Sequence, residues 1–82
     1  MAKYLLECGE HNDAECEAMS KELEEFGTPS VLKRREFFCS CPFGHHAGWA
    51  VVEASSKDAV LSDLAPKFRA HAQVYEIETV QF

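Results

Sequence analysis

The sequence SVLKRREFFCSCPFGHHAGWAVVEA, residues 30–54, contains two apolar-rich segments separated by turn-forming residues. The segments at residues 30–40 and 47–54 are rich in valine and aromatic side chains, which is typical of strands. Pro42 and Gly44 lie between them, so the connection is longer than a two-residue turn. This stretch therefore predicts a β-hairpin with a loop of several residues in the middle of the chain.

A strand and a helix are predicted before the hairpin. Residues 2–8, AKYLLEC, are rich in apolar side chains and predict the first strand. Over residues 13–26 apolar side chains recur three or four positions apart, which predicts a helix. Asn12 suits the N-cap, with Glu15 in the capping-box position, and Gly27 suits the end of the helix. The apolar face of this helix consists of Cys16, Met19, Leu23 and Phe26.

A second helix and a fourth strand are predicted after the hairpin. Ser55 and Ser56 are candidate N-caps for a short helix whose apolar residues extend to Leu64, and Pro66 is expected to end it. Residues 71–82 predict the last strand. The order β-α-β-β-α-β in one domain, residues 1–82, predicts a ferredoxin-like α+β fold. We expect a four-stranded antiparallel sheet with two helices on one face.

The charge and hydropathy of the chain restrict its partners and its location. The net charge is −6 and the isoelectric point is about 5.1. The one basic cluster, KRR at residues 33–35, is followed directly by Glu36. A nucleic-acid-binding protein needs a basic face, so we predict no nucleic-acid partner for this acidic chain. No apolar stretch approaches the length of a membrane span, and residues 1–10 do not resemble a signal peptide. We therefore expect a cytoplasmic protein with reduced thiols and no membrane partner.

The predicted strands carry apolar side chains on both faces of the sheet. The segments concerned are YLL at residues 4–6, FF at residues 37–38 and WAVV at residues 49–52. Helices on one face leave the other face apolar and uncovered, which is typical of an interaction surface. The sequence therefore predicts a homodimer that pairs sheet to sheet.

The chain resembles the dimeric α+β barrel superfamily, and its small single-domain members in particular. The resemblance is carried by KYLLEC at residues 3–8 together with HAGWAVVEA at residues 46–54. It covers the whole chain as topology, but only GHHAGW and VVEA within it are locally specific. The superfamily includes monooxygenases, isomerases, decarboxylases and small metal-binding proteins. The resemblance therefore implies a fold and a dimer more strongly than a function.

All cysteines and histidines of the chain are predicted to lie at one edge of the sheet. In the expected topology strands one and two run parallel to each other on either side of strand three. The end of strand one, the hairpin loop, the start of helix one and the start of strand four therefore meet at one edge. The residues brought there are Cys8, His11, Cys16, Cys39, Cys41, His45, His46 and His71.

This clustering favours a metal site as the main functional hypothesis. Thiolate and imidazole are ligands of zinc, nickel and copper. Structural zinc sites usually pair C-x₂₋₄-C with H-x₃₋₅-H, and the Cys-x-Cys and His-His spacings of this chain match that pattern only in part. The candidate ligands are Cys39, Cys41 and one of His45 or His46, completed by Cys8 or His11.

The same cysteines have other interpretations. Cys16 lies on the apolar face of the first helix and is expected in the core, as Cys8 could be. A redox role for Cys39 and Cys41 lacks the usual Cys-x-x-Cys spacing. Cys41 with a neighbouring histidine as base is a candidate nucleophile, but no oxyanion hole can be identified.

The runner-up hypothesis is a small dimeric α+β barrel enzyme. It would be isomerase-like or monooxygenase-like and act on a small organic molecule, with His45 or His46 as acid or base. The strand aromatics would then line an apolar pocket, although they equally suit the core of a dimer. The candidate pocket residues are Trp49, Tyr4, Phe38 and His71.

Overall fold

The computed structural model describes all 82 residues, Met1–Phe82. The chain forms an α+β structure with one open sheet of four antiparallel strands and three helices. In chain order the elements are β1 (Ala2–Cys8), α1 (Asp13–Phe26), β2 (Phe38–Cys39), β3 (Gly48–Ala54), α2 (Lys57–Ser62), α3 (Pro66–His71) and β4 (Ala72–Ile77). The strand order across the sheet is β2-β3-β1-β4, so the central strands are β3 and β1.

Helix α1 begins and ends at the residues that the sequence predicts. The Glu15 amide donates to Asn12 Oδ1 over 2.8 Å, and the Asn12 amide donates to Glu15 Oε1 over 2.9 Å. This reciprocal pair is a capping box, which satisfies two amides that the first turn leaves without partners. Gly27 ends the helix with a φ of 79°, a left-handed angle that favours glycine.

The predicted second strand is much shorter than residues 30–40, because the chain turns twice before it becomes extended. Ser30–Leu32 form a 3₁₀ turn, and Arg34 has a φ of 63°, which interrupts an extended backbone. The Val31 amide donates to Asp63 Oδ2 over 2.7 Å instead of pairing in the sheet. Only Phe38–Cys39 pair with β3, opposite Trp49 and Gly48.

Two short helices replace the single second helix, so the prediction of two helices is corrected to three. Pro66 begins α3 instead of ending a helix, because proline fits the first helical turn, where its missing amide has no partner to lose. The Arg69 side chain joins the two helices by donating to the carbonyls of Leu61 and Leu64 over 3.0 and 2.6 Å. His71 is the last residue of α3, and β4 ends at Ile77 instead of Phe82.

The core lies between one face of the sheet and the helices. The burial of β1 and β3 alternates, so that every second side chain faces the helices. The buried core consists of Tyr4, Leu6, Ala50, Val52, Ala54, Val60, Leu64 and Val74. Twelve of the 82 residues are buried, so the hydrophobic core of this domain is small.

The buried carboxylate of Glu22 fastens α1 to α3. Glu22 is 7% exposed, and its two oxygens accept hydrogen bonds from the amides of Lys67 and Phe68 over 2.9 and 3.1 Å. These amides belong to the first turn of α3, where Ala65 offers no side-chain cap. An acidic side chain from another helix therefore performs the task of a missing N-cap.

Replacing Glu22 with alanine is expected to lower the free energy of unfolding by about 0.5–2 kcal/mol, the usual effect of losing a helix cap, because two part-buried amides lose their acceptor. At about 4–8 °C per kcal/mol for a domain of this size, the change is visible in thermal as well as denaturant unfolding. Glu24→Ala removes an exposed carboxylate from the same helix and is the matched control. Equal effects of the two substitutions would contradict the capping role.

Candidate metal centre

Four potential metal ligands meet at the edge of the sheet where β1 ends. His11 lies in the loop after β1, Cys16 lies early in α1, and Cys41 and His46 lie in the loop between β2 and β3. Each offers one ligand atom, and these four atoms all lie within 4.8 Å of one another. We refer to His11, Cys16, Cys41 and His46 as the Cys2His2 cluster.

The hairpin loop brings Cys41 and His46 together by a tight turn. Cys41–Phe43 form a 3₁₀ turn, with Pro42 in its first positions and Gly44 at its end. Gly44 has a φ of 92°, a conformation that glycine adopts without strain. The Ser40 amide donates to the Ala47 carbonyl over 3.0 Å, which closes the loop at its base. The turn and this hydrogen bond fold the loop back on itself, so that His46 lies near Cys41.

The spacing inside the Cys2His2 cluster fits a tetrahedral ion. Cys16 Sγ and Cys41 Sγ are 3.9 Å apart, and Cys41 Sγ is 3.9 Å from His11 Nε2. In a tetrahedron with usual zinc bond lengths the sulfur–sulfur edge is about 3.8 Å and the sulfur–nitrogen edge about 3.5 Å. Small side-chain movements are therefore enough to place all four donors around one zinc ion.

Both histidines of the cluster have one ring nitrogen engaged and the other free. His11 Nδ1 donates to the Gly9 carbonyl over 2.9 Å, so Nε2 keeps its lone pair toward Cys41. His46 Nε2 is hydrogen-bonded to the carboxylate of Asp13. His46 Nδ1 is buried and has no hydrogen-bond partner. Metal-bound histidines typically show this arrangement, in which the second nitrogen donates to a carboxylate or a carbonyl.

Two thiols at this edge are held in the protonated form when no cation is present. The pKa of Cys41 is raised to about 12, first by burial and then by hydrogen bonds and charge repulsion from Cys39 and Cys16. The pKa of Cys8 is raised to about 11, chiefly by burial. Reactive cysteines typically have a lowered pKa, so the surroundings of these two residues disfavour the reactive thiolate form. A bound cation reverses this balance, because it stabilises thiolates directly.

Three of the six candidate metal ligands belong to the cluster, and three lie beside it. His11, Cys41 and His46 are within it. Cys8 is buried, with Sγ 3.9 Å from His11 Nδ1. Cys39 is exposed, and its sulfur accepts a hydrogen bond from the Cys41 amide. The remaining candidate, His45, has its Nε2 2.8 Å from Glu10 Oε1.

Cys16 is the member of the Cys2His2 cluster that its helical spacing predicted to lie in the core. Its helix face is not uniformly buried, since Leu23 is 45% and Phe26 is 65% exposed. Near the start of α1 this face looks onto the hairpin loop, which places Cys16 against Cys41. Helical spacing identifies a face but not the element that packs against it. The position of Cys16 in the first turns of α1, at the predicted Cys/His edge, is the signal that could have identified it.

The four candidate pocket residues do not line one cavity. Tyr4 is in the core, whereas Trp49 lies on the opposite face of the sheet, where its Nε1 donates to Glu7 Oε2 over 3.0 Å. Phe38 pairs with Trp49 in the sheet and is exposed. His71 ends α3 beside Glu15. Side chains alternate between the two faces of the sheet along β1 and β3, so Tyr4 and Trp49 lie on opposite faces although both are strand aromatics.

Comparisons with protein-family models, with curated proteins and with solved structures found no match. None of the three helices is both long enough and apolar enough to cross a membrane.

Proposed function

We propose that this protein binds one transition metal ion through the Cys2His2 cluster. The observation that carries the proposal is that His46 Nδ1 is buried and has no hydrogen-bond partner. A buried polar atom without a partner costs about 1–3 kcal/mol, and a metal ion at the cluster removes that cost. The Asp13 carboxylate at the other ring nitrogen holds the imidazole in the tautomer that a metal needs.

Zinc is the ion that the donor set favours among zinc, nickel and copper. Two sulfur and two nitrogen donors in a tetrahedral arrangement are typical of zinc, whereas Ni²⁺ and Cu²⁺ favour square-planar nitrogen and oxygen sites. Four protein ligands also match the closed coordination shell of a structural zinc site, whereas catalytic sites keep one resting position for water or substrate. The proposed role is therefore that of a metal-binding or sensing module in a reducing compartment such as the cytoplasm, where thiols stay free.

The enzyme hypothesis gains no comparable support. The aromatic residues proposed for its pocket lie on opposite faces of the sheet, as described above. Metal binding is thus the function that the geometry favours.

Elemental analysis of protein purified without an affinity tag tests the proposal. We expect close to one zinc per chain after gel filtration, and recovery of that ratio when the metal-free protein is incubated with zinc. A metal-free protein whose thermal stability is unchanged by zinc, nickel or copper would refute it. Cobalt substitution gives a second measurement, because tetrahedral thiolate-bound Co²⁺ has visible absorption bands that octahedral Co²⁺ lacks.

Asp13→Asn is expected to weaken zinc affinity by about 10–100-fold, the usual effect of removing a carboxylate that orients a metal-bound histidine. Glu10→Gln is the matched control, because Glu10 makes the equivalent contact to His45, which lies outside the cluster. Competition against a chromophoric chelator measures both affinities. Equal losses in the two variants would show that surface charge, and not the orientation of His46, sets the affinity.

We also propose that the chain has a ferredoxin-like fold and forms a sheet-to-sheet homodimer of the dimeric α+β barrel type. The element order and the strand order β2-β3-β1-β4 support the fold. The dimer is supported by the open face of the sheet, where Val51, Leu5 and Tyr75 form an apolar row in direct register. Lys3 and Glu53 lie opposite each other on the same face, and opposite charges on one surface suit pairing with a second copy.

Sedimentation equilibrium at micromolar concentration is expected to give twice the 9.2 kDa mass of one chain. Val51→Glu places an unpaired charge in the apolar row and is expected to shift the protein to monomer, because a buried unpaired charge costs several kcal/mol. Val80→Glu alters an exposed valine outside the sheet and is the control. A 9.2 kDa species for the unaltered protein would contradict the dimer and leave the metal proposal untouched.

A further inference from the structure

The four thiols of the chain form a series that leads from the core to the surface. Cys8 is buried, Cys16 and Cys41 are half-buried, and Cys39 is exposed. All four line one small apolar recess of about 130 Å³ beside the Cys2His2 cluster. Cys39 therefore lies at the solvent end of a group of sulfur atoms whose middle members are proposed metal ligands.

Cys39 is in contact with one of those ligands. Its sulfur accepts a hydrogen bond from the amide nitrogen of Cys41, 3.4 Å away. Few contacts fix its position, because β2 contains only two residues and both are exposed. Exposed segments with few buried contacts open at low free-energy cost, so this thiol can move toward the cluster or away from it.

We propose that Cys39 is the exchange ligand of the metal centre, the thiol that receives the ion on entry and passes it to a thiol-bearing partner on exit. This inference rests on the proposed function, since it assigns a role beside the Cys2His2 cluster. It adds a partner class, namely proteins or small molecules that hold metal through cysteine thiols. Soft thiolate ligands compete for a thiolate-bound zinc ion more effectively than oxygen ligands do.

The exchange step balances without any change in oxidation state. Zinc in a tetrahedral site can expand to five ligands. Cys39 gives its proton to water as its sulfur–zinc bond forms, and one histidine nitrogen then leaves with its lone pair. Ligands of the partner then replace the ligands of this chain one at a time. Each partner thiol gives a proton to water as it binds the ion, and each thiolate released from this chain takes up a proton from water. The ion keeps its charge throughout, and the chain returns to its thiol form.

Transfer of zinc to a metal-free Cys2His2 zinc-finger peptide tests the inference. The peptide folds only when it binds zinc, so its circular dichroism reports each transfer. We expect Cys39→Ser to retain one zinc per chain but to transfer it about tenfold more slowly, because one attacking thiolate is lost. Cys8→Ala also removes a thiol of the recess, but a buried one, and is expected to transfer at the unaltered rate.

Two results would overturn the inference. Equal transfer rates for Cys39→Ser and the unaltered protein would show that exchange does not pass through this thiol. Loss of stoichiometric zinc from Cys39→Ser would show that Cys39 is a resident ligand and not an exchange ligand. Failure of the proposed function is distinguishable from both, because the unaltered protein would then take up no zinc before any transfer is measured.

Discussion

Replacing Cys41 with serine is expected to weaken zinc binding by about 10²–10³-fold. Structural zinc sites in small domains bind with about 10–16 kcal/mol, which is about 2.5–4 kcal/mol for each of four ligands when shared equally. Cys41 is the central member of the cluster, since its sulfur lies 3.9 Å from both Cys16 Sγ and His11 Nε2. A serine hydroxyl is a poor zinc ligand at neutral pH, so the loss approaches that of a whole ligand.

The measurement is competition between the protein and a chromophoric chelator of known affinity. Cys8→Ser is the control, because it changes a cysteine of the same recess that lies outside the cluster. We expect its affinity to stay within a few-fold of that of the unaltered protein. If Cys8→Ser and Cys41→Ser lose affinity equally, the ion is bound by a different set of thiols from the one proposed.

The helices and strands that local signals define were predictable from the sequence. Helix α1 carries its own capping box and its own stop at Gly27, so its limits do not depend on distant contacts. The strand at residues 30–40 had no such limits. Its apolar residues Val31 and Leu32 do pack against the core, but from a 3₁₀ turn instead of a strand. Their apolar character indicated correctly that they contact the core, but the strand predicted for their backbone was wrong.

A proline can follow the end of one helix or begin the next, and Pro66 begins one. After an apolar helical stripe, Pro66 predicts the end of a helix, yet it occupies the first turn of a new helix. The carboxylate that caps this helix comes from Glu22, which lies far away in the sequence. Ala65 provides no side-chain N-cap, so Pro66 was the only local signal for the start of α3, and it was interpreted as a stop.

The candidate site was predictable as a region but not as a set of ligands. Topology alone brings all cysteines and histidines to one edge, and the cluster lies there. Which of them converge depends on side-chain direction in a loop. Cys39 and Cys41 are two residues apart, and the 3₁₀ turn that begins at Cys41 separates their environments, one exposed and one half-buried. No spacing rule contains that information.

The ligand positions also explain why metal should matter to the fold. His11 and Cys16 come from the β1–α1 connection, whereas Cys41 and His46 come from the hairpin loop. An ion held by all four joins segments about 25–35 residues apart. Closing loops of that length lowers the conformational entropy of the unfolded chain, which stabilises the folded protein by several kcal/mol. The domain buries only 12 residues, so a contribution of several kcal/mol from the ion is large relative to that of its small core.

Removal of zinc is therefore expected to lower the midpoint of thermal unfolding by about 15–30 °C. A ligand present at about 1,000 times its dissociation constant adds about 4 kcal/mol to the free energy of unfolding. In a domain of this length each kcal/mol corresponds to about 4–8 °C. The measurement is calorimetry of the zinc-loaded protein before and after dialysis against EDTA, with zinc then restored.

The double variant Cys16→Ser, Cys41→Ser separates this effect from a general effect of the chelator. It lacks both sulfur donors of the cluster, so its unfolding midpoint should be the same with zinc and with EDTA. We expect that midpoint to lie near that of the metal-free unaltered protein, because both lack the cross-link between α1 and the hairpin loop. A zinc-dependent shift that persists in the double variant would place the stabilising ion elsewhere on the protein.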